Sequence, residues 1–248
     1  MPILDYQRNP FEGAIIIPES LPEDISIFPS LLDETLTVLR NEGIKVIWMN
    51  IPIASAGLVP TAVAAGFSYH HADENGLEMT LALREGAFIP PYATHYIGAG
   101  GVVIDDDRNI LLITEKYNPK WKPHLKLPGG ALNGREHISR AVCREVLEET
   151  GVRTEFMHLA CMRHWHGYRY GKSDIYFVCR LKPLSKTISV DPEEIALAKW
   201  MPVDDYLKDP DTHPFNRKIV SSTLNENGLT RDFIEGYGTP ETHELLFS

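Results

Sequence analysis

The sequence predicts a mixed α/β protein that consists of two units. Short apolar runs rich in β-branched residues alternate with segments of helical spacing, and this alternation is typical of the class. The consecutive prolines Pro90 and Pro91 predict a break between residues 1–92 and residues 93–248. The 248 residues and the 43% hydrophobic content allow each unit its own core.

The first unit is predicted to have a β-α-β-α-β-β order. Its long helix carries leucines at helical spacing and ends before Gly43, and its short helix begins at Pro60, which is favoured in a first turn. Residues 1–12 are expected to be an unanchored lead. The predicted elements are a strand at 14–17, a helix at 27–40, a strand at 45–51, a helix at 60–66, and strands at 67–69 and 79–83.

The second unit is predicted to be richer in strands. An acidic and polar turn at 105–109 joins its first two strands, as in a hairpin. The predicted elements are strands at 98–104, 110–114 and 125–127, a helix at 138–150, strands at 157–165, 175–181 and 196–201, and a helix at 202–207. The pattern assigns no role to residues 208–248.

Composition limits the function classes. The formal net charge of -10 argues against a surface for general nucleic-acid or anionic-membrane binding. No apolar run is long enough to span a bilayer and no basic leader is visible, so a soluble, cytoplasmic protein is expected. The three cysteines, Cys143, Cys161 and Cys179, are widely spaced and odd in number, which favours buried, reduced thiols over a disulfide framework.

Residues 129–152, GGALNGREHISRAVCREVLEETGV, contain the strongest functional signal. Glu145, Glu148 and Glu149 stand at i, i+3 and i+4, so a helix over 138–150 projects three carboxylates from one face before Gly151 ends it. The opposite apolar stripe is expected to pack inward. Its members are Ile138, Val142, Val146 and Leu147.

This charge placement predicts a metal site. Carboxylates at a helix end supply the hard oxygen donors that Mg²⁺ or Mn²⁺ needs when it also holds phosphate. The pair at 129–130 permits close backbone approach, and Gly129 is a candidate carbonyl ligand. Arg144 is expected to hold the carboxylates in place. The alternative is a solvated acidic face, whose like-charge pairs cost only about 0.2–0.5 kcal/mol each.

The spacing of these residues resembles the signature of the Nudix hydrolases, with Gly130, Glu136, Arg144-Glu145, Glu148-Glu149 and Gly151 in place. A narrower resemblance is to one branch, the plant Nudix hydrolases of ADP-ribose and NADH and the animal Nudix protein encoded antisense to a fibroblast growth factor. The residues that carry the narrower resemblance are 51–53, 66–67, 70–72, 91–95 and 171–179.

The resemblance implies a Nudix α/β/α sandwich around a mixed sheet, preceded by a small acetyltransferase-like α/β domain. It implies hydrolysis of a nucleoside diphosphate linked to another group, foremost ADP-ribose or NADH, with release of AMP. Glu145, Glu148 and Glu149 would bind Mg²⁺ or Mn²⁺, Glu145 being a ligand or the base, and Glu136 would support them. Open alternatives are another substrate, such as a dinucleoside polyphosphate, coenzyme A or capped RNA, and a nucleotide sensor with weak turnover.

Some side chains outside this stretch are weaker candidates. Glu193 or Glu194 is a candidate general base, against a plain solvated loop. The basic residues Arg163, Arg169 and Lys172 are candidates for diphosphate contact, although exposed basic side chains are usually solvated. The aromatic and histidine residues at 164–170 either stack on a purine or pack in the protein.

The first unit is expected to be structural or dimerising. Residues 1–90 contain no glycine-rich pyrophosphate loop between a strand and a helix that would cradle acetyl-coenzyme A. A homodimer is expected, because a small α/β unit must cover its exposed faces and because the branch resemblance points the same way. His70 and His71 are expected to serve packing and hydrogen bonding rather than phosphate contact.

Overall fold

The computed structural model describes residues 2–116, 124–224 and 227–248. They fall into two compact units, Met1–Ala93 and Thr94–Ser248. Within the described residues, no helix is long and apolar enough to cross a membrane.

The first unit is built on a five-stranded mixed sheet in the order β1-β2-β3-β5-β4. Strands β2 and β3 are parallel and are connected through helix α1, while the other neighbours are antiparallel. The elements are β1 Tyr6–Arg8, β2 Gly13–Ile16, α1 Phe28–Asn41, β3 Val46–Pro52, α2 Val59–Ala64, β4 Ser68–Ala72 and β5 Gly76–Ala82, with 3₁₀ turns at Pro18–Ser20 and Ile53–Leu58. Alternate strand residues, among them Ile47 and Met49, pack against Leu32 and Leu39 of α1.

The prediction of an unanchored lead at residues 1–12 is wrong. Leu4 is fully buried in the core, and β1 pairs with β2 at the sheet edge. The Tyr6 hydroxyl and the Arg8 guanidinium both donate to the Glu42 carboxylate after the end of α1. These contacts join residues more than thirty positions apart, so the polar local sequence does not reveal them.

His70 and His71 of β4 make the packing contacts expected of them. A ring nitrogen of His70 lies 2.8 Å from the Pro90 carbonyl oxygen, and the His71 ring stacks on Tyr92 with 4.2 Å between centroids. Both contacts stay within the first unit.

The second unit has a four-stranded mixed sheet in the order β8-β6-β10-β9, with β6 and β10 parallel. Strands β7 and β11 form a separate antiparallel ribbon, and β12 pairs with β13. The elements are β6 His95–Val103, β7 Asn109–Glu115, β8 Gly129–Ala131, α3 Ile138–Thr150, β9 Thr154–Trp165, β10 Ser173–Pro183, β11 Ile195–Pro202, α4 Val203–Lys208, α5 Pro214–Thr223, β12 Thr230–Asp232 and β13 Leu245–Phe247, with a 3₁₀ turn at Arg169–Gly171.

Helices cover both faces of the four-stranded sheet, and this arrangement confirms the predicted α/β/α sandwich. Neighbouring residues of β6 point to opposite sides: Val103 packs with Val142 and Val146 of α3, whereas Val102 packs with Tyr206 of α4 and residues of α5. The sheet therefore holds α3 on one face and the pair α4 and α5 on the other.

Two local predictions in this unit are wrong. Residues 125–127 do not form a strand. Lys126 makes a single bridge with Ile113, in which its N–H donates to the Ile113 carbonyl oxygen and its carbonyl oxygen accepts from the Ile113 N–H. Pro128 follows at once and has no N–H to extend the pairing. Leu147 does not pack inward but is 45% exposed. It lies five residues after Val142, about 140° around the helix, and so falls outside the apolar stripe.

The three cysteines are free thiols, but only one of them shows the predicted burial. Cys179 is buried in the sheet, whereas Cys143 and Cys161 are half-buried. Burial raises the pKa of all three thiols, which favours their protonated, unreactive form.

Candidate active site

Helix α3 is fixed at both ends. The N-cap residue His137 provides no side-chain cap, and instead the Glu244 carboxylate from the C-terminal segment accepts from the Ser139 N–H at 3.2 Å. Gly151 ends the helix in the left-handed conformation, with φ of 71°, and its N–H donates to the Leu147 carbonyl oxygen. The predicted helix bounds and stop are therefore confirmed.

Arg144 gathers three of the four acidic side chains of the motif. Its guanidinium donates to both oxygens of Glu136, each at 2.8 Å, and to one oxygen each of Glu145 and Glu148, also at 2.8 Å. It further donates to the Ala131 carbonyl oxygen at 3.2 Å. This pairing holds the pKa of Glu136 below its ordinary value. One guanidinium thus links α3 to the loop before it.

Glu149 is set apart from that network and is 8% exposed. Its carboxylate accepts from the Gly129 N–H at 2.7 Å. Burial raises its pKa to about 7, against the opposing pull of Lys126 and of the Gly129 hydrogen bond. Burial also raises the pKa of Glu145. The site therefore holds two desolvated carboxylates that favour a proton or a cation.

Strand β8 approaches these carboxylates closely because it begins with two glycines. Gly129 has φ of +148°, and a Cβ there would lie 2.3 Å from the Ala99 carbonyl oxygen. A Cβ on Gly130 would lie 2.5 Å from a carboxylate oxygen of Glu145. Neither position accepts a side chain without displacing the strand or the carboxylate.

Two residues beside Glu149 were missed by sequence reasoning. Lys126 forms an ion pair with Glu115, the last residue of β7, and both charges act on the Glu149 carboxyl group. The available signal was one acidic residue, Glu115, at the end of the mostly apolar strand β7. Its meaning depends on the pairing of β7 with Lys126, which is not local in sequence.

A cavity of about 290 Å³ lies between the sheet and α5. One wall is Tyr176 of β10, and a Cβ on Gly129 would lie 3.0 Å from its phenol oxygen. Burial raises the pKa of Tyr176, and the Glu149 carboxylate acts in the same direction. The cavity is therefore separated from the acidic cluster by one aromatic ring. Its lining residues are His124, Lys126, Leu127, Arg163, Tyr176, His213, Phe215, Asn216 and Ile219.

The candidate bases lie outside the acidic network. Glu193 and Glu194 are both exposed, and the Glu193 backbone N–H donates to the Asp191 carboxylate at 2.8 Å. The Glu194 carbonyl oxygen accepts from the Lys116 N–H at 2.8 Å, and the next residue, Ile195, pairs with Glu115. Glu194 thus stands at the end of the β7–β11 ribbon where Glu115 meets Lys126.

The basic and aromatic candidates separate into different places. Arg163 lies in the cavity wall, while the Arg169 guanidinium packs on the Tyr168 ring at 5.4 Å. Lys172 is half-buried in the turn before β10. The His164 and His166 rings pack together with 4.4 Å between centroids, and His164 also contacts His95.

The acidic residues fit a hard divalent cation by chemistry, although their side chains are turned to internal partners. Among residues 2–116, 124–224 and 227–248, no three His, Cys, Asp or Glu side chains are grouped closely enough to hold an ion. Glu145 and Glu148 are tied to Arg144, and Glu149 to Gly129. Carboxylate oxygens and backbone carbonyl oxygens, such as those beside the two glycines of β8, are the donors that Mg²⁺ and Mn²⁺ prefer.

Two family models match the chain. The model described as Nudix hydrolase domain matches residues 4–83, and the model described as NUDIX domain matches residues 94–222. The second match includes the whole acidic motif and covers about half of the chain.

Curated relatives agree with these matches. Nudix hydrolase 8 of Arabidopsis thaliana is 37% identical over 211 residues, which are 84% of this chain and 57% of that protein. Nucleoside diphosphate-linked moiety X motif 6 of Homo sapiens is 36% identical over 204 residues, 81% and 64% of the two chains. Nudix hydrolase 2 of Arabidopsis thaliana is 37% identical over 200 residues, which are 80% of this chain and 72% of that protein. The matched part of this chain thus spans less than two thirds of the first two relatives. The chain belongs to the Nudix hydrolase family.

Proposed function

We propose that this chain is a pyrophosphohydrolase that cleaves the diphosphate bond of a nucleoside diphosphate linked to another group. The substrates we favour are ADP-ribose and NADH, with AMP as a product. The observation that carries the proposal is the pair of desolvated carboxylates, Glu145 and Glu149, held against the glycine backbone of β8. Each carboxylate has an internal partner, and the burial of two acidic groups at one place favours a cation that can also hold phosphate oxygens.

We propose Glu145, Glu148, Glu149 and the Gly129 carbonyl as the residues that hold Mg²⁺ or Mn²⁺. When bound, the ion polarises a phosphoryl oxygen and lowers the pKa of bound water. The absence of side chains at 129 and 130 lets the β8 backbone lie directly against the Glu145 and Glu149 carboxylates.

The remaining motif residues position these groups. Arg144 and Glu136 form a bidentate pair that keeps the α3 carboxylates oriented. For the general base we propose Glu145 or, from outside the motif, Glu194. The location of Glu194 beside the Glu115 end of the ribbon supports the second choice.

The substrate class is supported by the relatives and by the cavity. The name of the human relative describes a nucleoside diphosphate-linked moiety. A cavity of about 290 Å³ is at the lower end of the range for ligand pockets and suits one ring system of a nucleotide. Preference for ADP-ribose or NADH rests on the branch resemblance of residues 51–53, 66–67, 70–72, 91–95 and 171–179.

Turnover on a substrate panel tests the proposal. The panel contains ADP-ribose, NADH, NAD, dinucleoside polyphosphates, coenzyme A and capped RNA, each with Mg²⁺ or Mn²⁺. AMP release from ADP-ribose or NADH is expected in the wild type, is lost in Glu149→Gln, and is retained in the exposed control Glu155→Gln on β9. Turnover of another member alone would remove the favoured substrates, and tight binding without turnover of any would favour a nucleotide sensor.

We further propose that residues 1–92 serve a structural or dimerising role beside a hydrolase domain at residues 93–248, and that the protein is a homodimer. The glycine-rich phosphate loop of a second nucleotide site is missing from the sequence of residues 1–90. Light scattering of the full chain at micromolar concentration is expected to give twice the chain mass. A monomer mass would contradict the dimer.

A further inference from the structure

Arg163 is held rigidly in the cavity wall. It lies on β9 directly opposite Tyr176 of β10. Its guanidinium carbon is 5.4 Å from the centroid of the Tyr176 ring, 5.3 Å from that of Phe215 and 5.5 Å from that of Trp165. Three aromatic contacts and an ion pair with Asp174 leave this side chain little freedom.

The pairing of Arg163 leaves a buried donor without an acceptor. Its Nη2 donates to Asp174, whose carboxylate is almost fully buried. Its Nε is buried and has no hydrogen-bond partner among the described residues. A buried N–H without an acceptor is rare in folded proteins, and here it belongs to a residue that lines the cavity.

The charges around the cavity decide which kind of ligand fits. Arg163 is paired with Asp174, and the second cation, Lys126, is paired with Glu115. Each of these two cations is therefore compensated by a carboxylate and offers no unpaired charge to a phosphate group. A flat, uncharged ring with an acceptor atom fits the aromatic walls and the unpaired Nε better.

The cavity is also placed for one part of a larger substrate. The phenol of Tyr176 reaches from the cavity wall toward β6, where a Cβ on Gly100 would lie 2.1 Å from its oxygen. The same phenol oxygen is near Gly129, whose N–H binds Glu149. A ring in the cavity and a diphosphate at the acidic cluster therefore lie on two sides of one side chain.

We propose that Arg163 is a specificity-determining residue that binds the nucleobase of the substrate, with its Nε donating to a ring acceptor. The inference rests on the proposed function for the identity of the ligand. Beyond the proposed function, it assigns the recognition of an uncharged heteroaromatic ring to Arg163. Asp174 and the three aromatic rings hold the Arg163 side chain in place for this role.

Equilibrium binding tests the role of Arg163 without turnover. The full chain carrying Glu149→Gln is titrated calorimetrically with adenosine, AMP and ribose 5-phosphate. Adenosine and AMP are expected to bind, and adding Arg163→Met is expected to weaken both at least tenfold while leaving ribose 5-phosphate unchanged. Arg163→Lys keeps the charge but lacks the Nε donor, so it is expected to show the same loss. Arg169→Met, which removes the arginine packed on Tyr168, is the matched control and is expected to bind like its parent.

The outcomes separate the two proposals. Unchanged adenosine affinity in a folded Arg163→Lys protein would overturn the inference, as would no adenosine binding to the parent at millimolar concentration. A selective loss of ribose 5-phosphate affinity would also overturn it, since Arg163 would then bind phosphate. Arg163-dependent adenosine binding by a wild-type protein that hydrolyses no member of the substrate panel would support the nucleobase site and contradict the hydrolase proposal.

Discussion

Replacing Glu149 with Gln is expected to stabilise the metal-free protein at high pH. The ordinary glutamate pKa is 4.5, and burial raises that of Glu149 to about 7. Because the folded value is the higher one, its stabilising contribution is complete below pH 4.5 and is lost as pH rises through about 7. The difference corresponds to about 3 kcal/mol at roughly 1.36 kcal/mol per pH unit. Glutamine keeps the acceptor for the Gly129 N–H and carries no charge.

Urea unfolding in EDTA at pH 5 and pH 8 measures this effect. Wild type and Glu149→Gln are expected to have similar free energies of unfolding at pH 5. At pH 8 the variant is expected to be more stable by about 3 kcal/mol. Addition of Mg²⁺ at pH 8 is expected to stabilise the wild type and not the variant, because only the carboxylate gains a cation.

The control is Glu148→Gln, since the Glu148 side chain is 58% exposed and bears no comparable burial. It is expected to show no rise in relative stability between the two pH values. A difference between wild type and Glu149→Gln that is the same at pH 5 and pH 8 would refute the argument from burial.

Four further substitutions test other parts of the site and its helix. Gly129→Ala is expected to destabilise the protein by about 2–3 kcal/mol in urea unfolding, because φ of +148° and a backbone oxygen at 2.3 Å oppose a Cβ. Arg144→Lys is expected to weaken Mn²⁺ binding in calorimetry roughly 10- to 100-fold, since lysine cannot pair bidentately with Glu136. Val146→Ala is expected to cost about 2 kcal/mol in urea unfolding, whereas Leu147→Ala is expected to cost less than about 0.5 kcal/mol, because only Val146 is buried.

Local patterns determined the helix that carries the acidic residues. The spacing of Glu145, Glu148 and Glu149 and the stop at Gly151 depend on interactions within a few residues. The same reasoning is wrong for Leu147, because this residue lies about 140° around the helix from Val142 and faces away from the core.

Contacts distant in sequence determined the chemistry around that helix. Glu115 and Lys126 stand beside Glu149 only because β7 bridges to residue 126, and Arg163 stands opposite Tyr176 only because of the β9–β10 register. The cap from Glu244 joins residues 105 positions apart. None of these pairings can be predicted from the spacing of residues in the sequence, because strand register is set by the whole sheet.

The sequence by itself determined the two-unit α/β organisation, the family resemblance and the order of the motif residues along α3. The tertiary structure decided which glutamate is buried, which cation lies near it and where the cavity lies. The physical reason is that helix spacing and turn chemistry are local, whereas burial of Glu149 and the setting of Arg163 arise from elements that meet only in the folded sheet.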